Sequence, residues 1–367
     1  MNKFISLKDL TELNKIAINS IKIKNALLVY STILTPKNLA NETDKFFKSK
    51  TYNPQFEYKK LRDINYDRDI DELERRTESL DMPNELFYHL IDYLNHLRLL
   101  YHTRRSVGKA TFPIYSKLFF DWDIVSPDSI LKEISRPVFQ NENKGVLRKA
   151  PEIKYQLQET IDIKYNLPYY KVNINNFSKN IIFVKSNNIY VGSGIKRFQN
   201  NVDRLIVHEV ESHLIQNYNI KKIRSPLLKL TRLSSSELYA EGLAVYNEVK
   251  SNTITKKAFE NYYFRLKAIN NINLSFRKIY EMLISDGLTP KLAFHITFRV
   301  KRGMSDTSKP GGYPKDAAYL LGYKAVLDFL KHDREEIMYY SKNPNLTKLL
   351  FKYDLIKKRN ILLPDFI

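Results

Sequence analysis

Val202-Asp203-Arg204-Leu205-Ile206-Val207-His208-Glu209-Val210-Glu211-Ser212-His213-Leu214 decides how the chain is read. Its pattern is that of a helix, with two glutamates enclosed between two histidines. In the metallopeptidase arrangement H-E-x-x-H the histidines stand four apart and share one helical face. Here they stand five apart. At about 100° per residue, a step of four separates two side chains by about 40° and a step of five by about 140°. On a regular α-helix, therefore, His208 and His213 face different ways and bind nothing together. If the helix absorbs one extra residue as a π-bulge, a distortion that collects at functional sites, both can reach one ion.

A third ligand is available downstream, in Ser234-Ser235-Ser236-Glu237-Leu238-Tyr239-Ala240-Glu241-Gly242-Leu243-Ala244-Val245-Tyr246-Asn247-Glu248. The serines suit an N-cap, and Glu237, Glu241 and Glu248 then fall on roughly one helical face. Glycine inside a helix costs up to about 1 kcal/mol relative to alanine. Gly242 therefore asks for a reason: with Ala240 and Ala244 it would let a second helix come close. Two histidines and a glutamate from a later helix form the His2Glu set of catalytic zinc, with the fourth position left for water. The plain alternative for Glu237 and Glu248 is a solvated face.

Just upstream the period shortens. Tyr169 to Ile174, Ile181 to Lys185 and Asn188 to Val191 are short and rich in β-branched and aromatic residues, which predicts a small antiparallel sheet. Helices are predicted after it over roughly 198–217, 235–250, 255–284, 288–302 and 315–331. The first hundred residues are also helical in pattern. Leu7, Leu10, Leu13, Ile16, Ala17 and Ile21 recur at threes and fours, and Pro83-Asn84 opens a leucine-rich helix carrying His89, His96 and His102. Histidines among leucines are more often hydrogen-bonded core residues than ligands.

Composition narrows the classes. The chain has 367 residues and no cysteine, which excludes disulfides, thiolate metal sites and cysteine nucleophiles. Ten glycines, with no Walker sequence, argue against a glycine-cradled nucleotide site. The start turns to charge too early for a signal peptide, and no apolar run is long enough to span a membrane. A cytoplasmic protein is the expectation. Sixty basic against forty acidic residues give a net +20, a surface that would draw polyanions. The basic residues are nonetheless dispersed, and no recognisable nucleic-acid module accompanies them.

His208-Glu209-Val210 with His213, followed by Glu241-Gly242-Leu243-Ala244-Val245-Tyr246, resembles the microtubule-associated tyrosine carboxypeptidase family. Its bacterial members are known as flavohaemoglobin-expression-modulating proteins with a QEGLA motif. Asn41-Glu42, Phe46-Phe47 and Tyr52-Asn53-Pro54-Gln55-Phe56-Glu57-Tyr58 resemble the family's N-terminal signature. Gly312-Tyr313-Pro314-Lys315-Asp316-Ala317-Ala318-Tyr319-Leu320-Leu321-Gly322-Tyr323 resembles its late F-T-K-D…Y-L…G segment. The likeness runs from about residue 40 to 332. Ala240 stands where the family has the glutamine of QEGLA, and Tyr313-Pro314 where it has phenylalanine-threonine.

The resemblance implies a zinc peptidase that removes a C-terminal aromatic residue. By position, His208, His213 and Glu241 would bind one Zn2+ per chain, and Glu209 would be the catalytic carboxylate. The strand Asn188 to Val191 would lie beside the cleft, with its edge open to an extended peptide. A carboxypeptidase must also meet a free carboxylate with a cation, and arginine suits that pairing. Lys315, Arg299 and Arg302 are the candidates near the matched segment, with Tyr319 as a further hydrogen-bond donor. The expected fold is a predominantly helical α+β, zincin-like domain over 106–367 with a helical extension over 1–105. The expected partner is a peptide or protein C-terminus, and an acidic one would suit the charge; neither a membrane nor a nucleic acid is expected. Two rivals keep the same residues: a basic nucleic-acid- or polyanion-binding regulator with a non-catalytic metal site, and a zinc endopeptidase.

Overall fold

The computed structural model describes residues 5–28, 31–60, 64–176, 181–185 and 187–367. In chain order its α-helices are α1 (Leu7–Leu28), α2 (Leu39–Lys48), α3 (Asp67–Glu78), α4 (Asn84–Arg105), α5 (Phe112–Phe119), α6 (Pro127–Glu133), α7 (Ala150–Glu159), α8 (Gln199–Leu205) and α9 (Ile215–Ile223). They continue with α10 (Leu233–Lys250), α11 (Lys256–Asn270), α12 (Phe276–Ser285), α13 (Pro290–Lys301), α14 (Leu320–Leu330) and α15 (Pro344–Lys352). Among the described residues there are also five short strands: β1 (Leu147–Lys149), β2 (Lys171–Asn175), β3 (Ile182–Lys185), β4 (Asn188–Gly192) and β5 (Lys196–Phe198). The protein is thus predominantly helical α+β. The segment expected as one helix over 255–284 is two, α11 and α12.

The chain separates into two compact units that interleave in sequence. One comprises residues 1–127, 229–235 and 263–317, the other 128–228, 236–262 and 318–367. In the first unit the tyrosine- and phenylalanine-rich N-terminal signature is a packing device. Phe46, Phe56, Phe276 and Phe294 form a buried cluster. The Arg277 guanidinium lies 3.6 Å from the Phe46 ring centroid and donates to the carbonyls of Phe46 and Ser49. Glu42, 2% exposed, accepts from Tyr52 Oη and from the Gln55 amide at 2.7 Å each. The leucine-helix histidines are likewise committed. His89 Nε2 donates to the Leu230 carbonyl, and His96 Nε2 accepts from the Ser234 amide.

In the second unit the sheet is mixed rather than antiparallel. Its order is β2-β4-β3, with β3 antiparallel and β2 parallel to β4. Two residues join β3 to β4, which allows only an antiparallel hairpin, and β2 takes the remaining edge of β4. The strand expected to offer a free edge is therefore the central one, paired on both sides, and no peptide can add to it. Val172, Ile189 and Val191 turn one face inward, onto Ile153 and Leu157 of α7 and onto Val210 and Leu214 of the histidine segment. A second, two-stranded ribbon of β1 and β5 lay outside the strand pattern of the sequence.

Candidate metal centre

Between α8 and α9 the helix widens into a π-helix over Ile206–Leu214. This is the extra residue that the five-residue spacing required. The His208 and His213 rings come to 5.0 Å between centroids, nearly perpendicular. The widened turn is braced from within: Ser212 Oγ donates to the carbonyl of Val207 at 2.8 Å and accepts from Asn247 Nδ2 at 2.7 Å. Asn247 and Ser212 are both wholly buried. A polar pair this deep holds the distortion because breaking it would strand its partners in an apolar core.

Glu241 of α10 completes the group. One ligand atom from each of His208, His213 and Glu241 lies within 4.8 Å of the others, the one such cluster found among the described residues. Glu241 Oε2 stands 3.5 Å from His208 Nε2 and 3.8 Å from His213 Nε2. It is buried and takes part in no hydrogen bond. Burial opposes its charge, yet the two imidazoles hold its carboxyl well below the usual carboxylate range. Zinc bonds of about 2.0–2.2 Å in a tetrahedral site place ligand atoms about 3.4 Å apart, close to these separations. An orphaned buried carboxylate oxygen facing two imidazole nitrogens fits a divalent ion.

The other nitrogen of His208 is also fixed. Its Nδ1 donates to Glu248 Oε1 at 2.7 Å, leaving Nε2 to face Glu241. Glu248, 0% exposed, also accepts from Arg204 Nη1 at 2.8 Å. Burial alone would raise its carboxyl, and Arg204 and His208 hold it below its ordinary value. Burial would likewise lower His208, but Glu241 and Glu248 push its pKa up to about 10. Glu248 is thus no solvated residue. Seven positions after Glu241, it stands two turns further along the same helical face, and that spacing was the signal for it. Arg204 and Tyr262, which bonds Glu248 from α11, carried no signal.

Glu209 is 7% exposed, and its side chain makes no hydrogen bond to another described residue. Glu211, also in the segment, differs: it accepts from Lys164 Nζ and Tyr165 Oη at 2.6 Å each. The close approach made by Gly242 is not to the histidine helix but to α14. A Cβ on Gly242 would lie 2.2 Å from the Gly322 carbonyl. The E-G-L-A segment and the late G segment therefore meet glycine to glycine.

Tyr319 lies beside the cluster, its ring 6.4 Å from that of His208 with the two planes 29° apart. Arg299 and Arg302, in the first unit, both meet Asp316. Arg299 grips that carboxylate with both Nε and Nη2, and Arg302 Nη2 reaches it at 3.5 Å. Arg265 adds a third guanidinium at 3.6 Å, so that Asp316, buried as it is, stays far below the usual carboxylate range. Lys315, the neighbour of Asp316, is half-buried in a 3-10 turn over Pro314–Ala318. Tyr313 packs edge-on to Phe120 and under Arg302.

Two imidazoles and a carboxylate gathered by a π-helix and a neighbouring helix define a protein able to hold a metal ion in an α+β frame. The model of the microtubule-associated tyrosine carboxypeptidase family matches residues 44–342, and the chain belongs to that family. Membership implies tyrosine carboxypeptidase activity in general, and with it peptide or protein substrates. No curated protein matches the chain. Among the described residues no helix is long and apolar enough to cross a membrane.

Proposed function

We propose that the protein is a zinc metallocarboxypeptidase, zincin-like in architecture, that removes one C-terminal tyrosine or phenylalanine from a peptide or protein. The convergence of His208, His213 and the orphaned Glu241 oxygen supports this reading most directly. These three side chains hold one Zn2+, which supplies a Lewis acid that polarises the scissile carbonyl and acidifies water. Glu209 accepts the proton of the attacking water and returns it to the departing amine. The Tyr319 hydroxyl donates to the oxygen that becomes negative as the carbonyl is attacked. All these residues fall within 106–367, the part read as catalytic.

The free α-carboxylate is costly to bury without a cation. Lys315 is assigned that role because it alone of the three lies inside the late segment Gly312–Tyr323 that resembles the family's, with Arg299 and Arg302 the next candidates. A cytoplasmic protein of net charge +20 would favour an acidic C-terminal tail as substrate.

Metal analysis of the purified protein and mass spectrometry of matched peptides test the proposal. A peptide ending in free tyrosine should lose one residue, its amidated twin none, and Lys315→Ala should lose activity on the free acid while keeping zinc. Equal cleavage of both twins, or cuts inside the peptide, would make the protein an endopeptidase.

A further inference from the structure

Tyr262, 5% exposed on α11, meets two parts of the site at once. Its hydroxyl donates to Glu248 Oε1 at 3.2 Å and accepts from Arg204 Nη1 at 3.2 Å. Its ring lies flat against that of Tyr319, with centroids 4.9 Å apart and planes 7° from parallel. Glu248 in turn grips the Nδ1 of His208, and the Tyr319 ring stands over the same imidazole. One side chain therefore closes a loop of contacts that runs from His208 through Glu248 to Tyr262 and back through Tyr319.

We infer that Tyr262 is a positioning residue that sets both the rotation of His208, through Glu248, and the placement of the Tyr319 phenol, through the stack. The inference rests on the metallocarboxypeptidase reading of the same site. The hydroxyl arm acts because Glu248 has two oxygens and several possible rotamers. With Arg204 and Tyr262 both bound, the carboxylate presents Oε1 to His208 in one orientation, and a ligand pre-set in this way loses less freedom when it binds an ion. The stacking arm acts because a phenol that is to donate to a developing oxyanion must already be in place, and offset aromatic packing fixes the ring plane.

The two arms separate by substitution. Tyr262→Phe keeps the ring and loses the hydroxyl; Tyr262→Leu loses both. Outer partners of metal ligands typically change affinity about 10–100-fold. Both variants should therefore bind zinc at least about tenfold more weakly than the parent and show an altered visible spectrum when Co2+ replaces zinc. At saturating zinc Tyr262→Leu should also lose at least about tenfold in kcat with KM little moved, a larger loss than that of Tyr262→Phe. Tyr262→Met replaces the leucine variant if that one fails to fold.

Parent-like zinc affinity and cobalt spectrum in Tyr262→Phe would overturn the inference, as would equal kcat in the two variants at saturating zinc. A parent protein that binds zinc yet trims no peptide would sink the peptidase reading alone. The zinc affinity and cobalt spectrum of Tyr262→Phe would then still decide whether Tyr262 positions His208.

Discussion

His208 Nδ1 lies 2.7 Å from Glu248 Oε1, forty residues further along the chain and wholly shielded from solvent. The same oxygen takes a hydrogen bond from Arg204 at 2.8 Å, so one carboxylate aims an imidazole and neutralises a guanidinium. Removing one partner of a buried ion pair costs about 3–5 kcal/mol, because the other charge is left without compensation. Glu248→Ala should therefore lower stability in denaturant titrations by about that much with no metal added. Adding Arg204→Met should recover part of the loss. A change under about 1 kcal/mol for Glu248→Ala would mean that water reaches Arg204 freely.

Ala at His208, His213 or Glu241 should each abolish tight zinc binding, because three protein ligands leave no spare. Glu237, on the same helix, is not in the cluster, and Glu237→Ala should retain most of the zinc. Metal content after dialysis against a weak chelator measures this. Zinc surviving Glu241→Ala but lost with Glu237→Ala would reassign the carboxylate.

Glu209→Gln separates chemistry from binding. The amide preserves size but cannot take a proton from water, and losses of a general base run to about 10²–10⁴ in rate. Zinc content should stay at the parent level while turnover falls into that range. Parent-like turnover would place the base elsewhere, although Glu211 is a poor substitute, already bound by Lys164 and Tyr165.

The grouping of His208, His213 and Glu241 was legible because the misfit was. A spacing of five from His208 to His213 demanded a widened helix, and Ile206–Leu214 is one. What escaped lay in partnerships that spacing does not encode. Arg204 and Tyr262 reach Glu248 from different helices, and neither sequence context differs from an ordinary helix face. The sheet failed in direction rather than in place. Strand period locates Lys171–Asn175 and Asn188–Gly192 but says nothing of which edge each strand takes. Gly242 marks a close contact, yet its partner, Gly322, sits in a motif eighty residues on.

That contact has an energetic consequence opposite to helix propensity. In an open helix Gly→Ala would gain up to about 1 kcal/mol. At Gly242 the new methyl would fall 2.2 Å from backbone atoms of Gly322, which cannot swing aside as a side-chain tip could. Overpacking of this kind typically costs about 1–3 kcal/mol, so the clash outweighs the propensity. Gly242→Ala should lower the urea midpoint, and so should Gly322→Ala, whose Cβ would meet the Leu238 carbonyl at 2.2 Å. A raised midpoint in either variant would contradict the close approach.

His96 should make stability fall on mild acidification. It is 3% exposed, stacked on Phe119, and its Nε2 accepts the Ser234 amide, so that nitrogen carries no proton. Burial first, then the charges of Arg232 and Lys24, hold its pKa well below the ordinary histidine value. The unfolded chain regains a histidine of pKa about 6.5. Above that pH neither state is protonated there and the full stability is present. As pH falls below about 6.5 the unfolded state takes up a proton that the folded state refuses, and stability is lost toward the folded pKa, by at most about 1.4 kcal/mol per pH unit. His96→Gln keeps an acceptor for the Ser234 amide and cannot titrate. Melting curves of both proteins between pH 7.5 and 5, in chelator, should show a shallower decline for the variant, from a lower starting Tm because the ring stack is gone. The difference between the two curves cancels carboxylates and the metal cluster alike. Parallel declines would show that His96 is protonated as readily in the folded protein as in the unfolded chain.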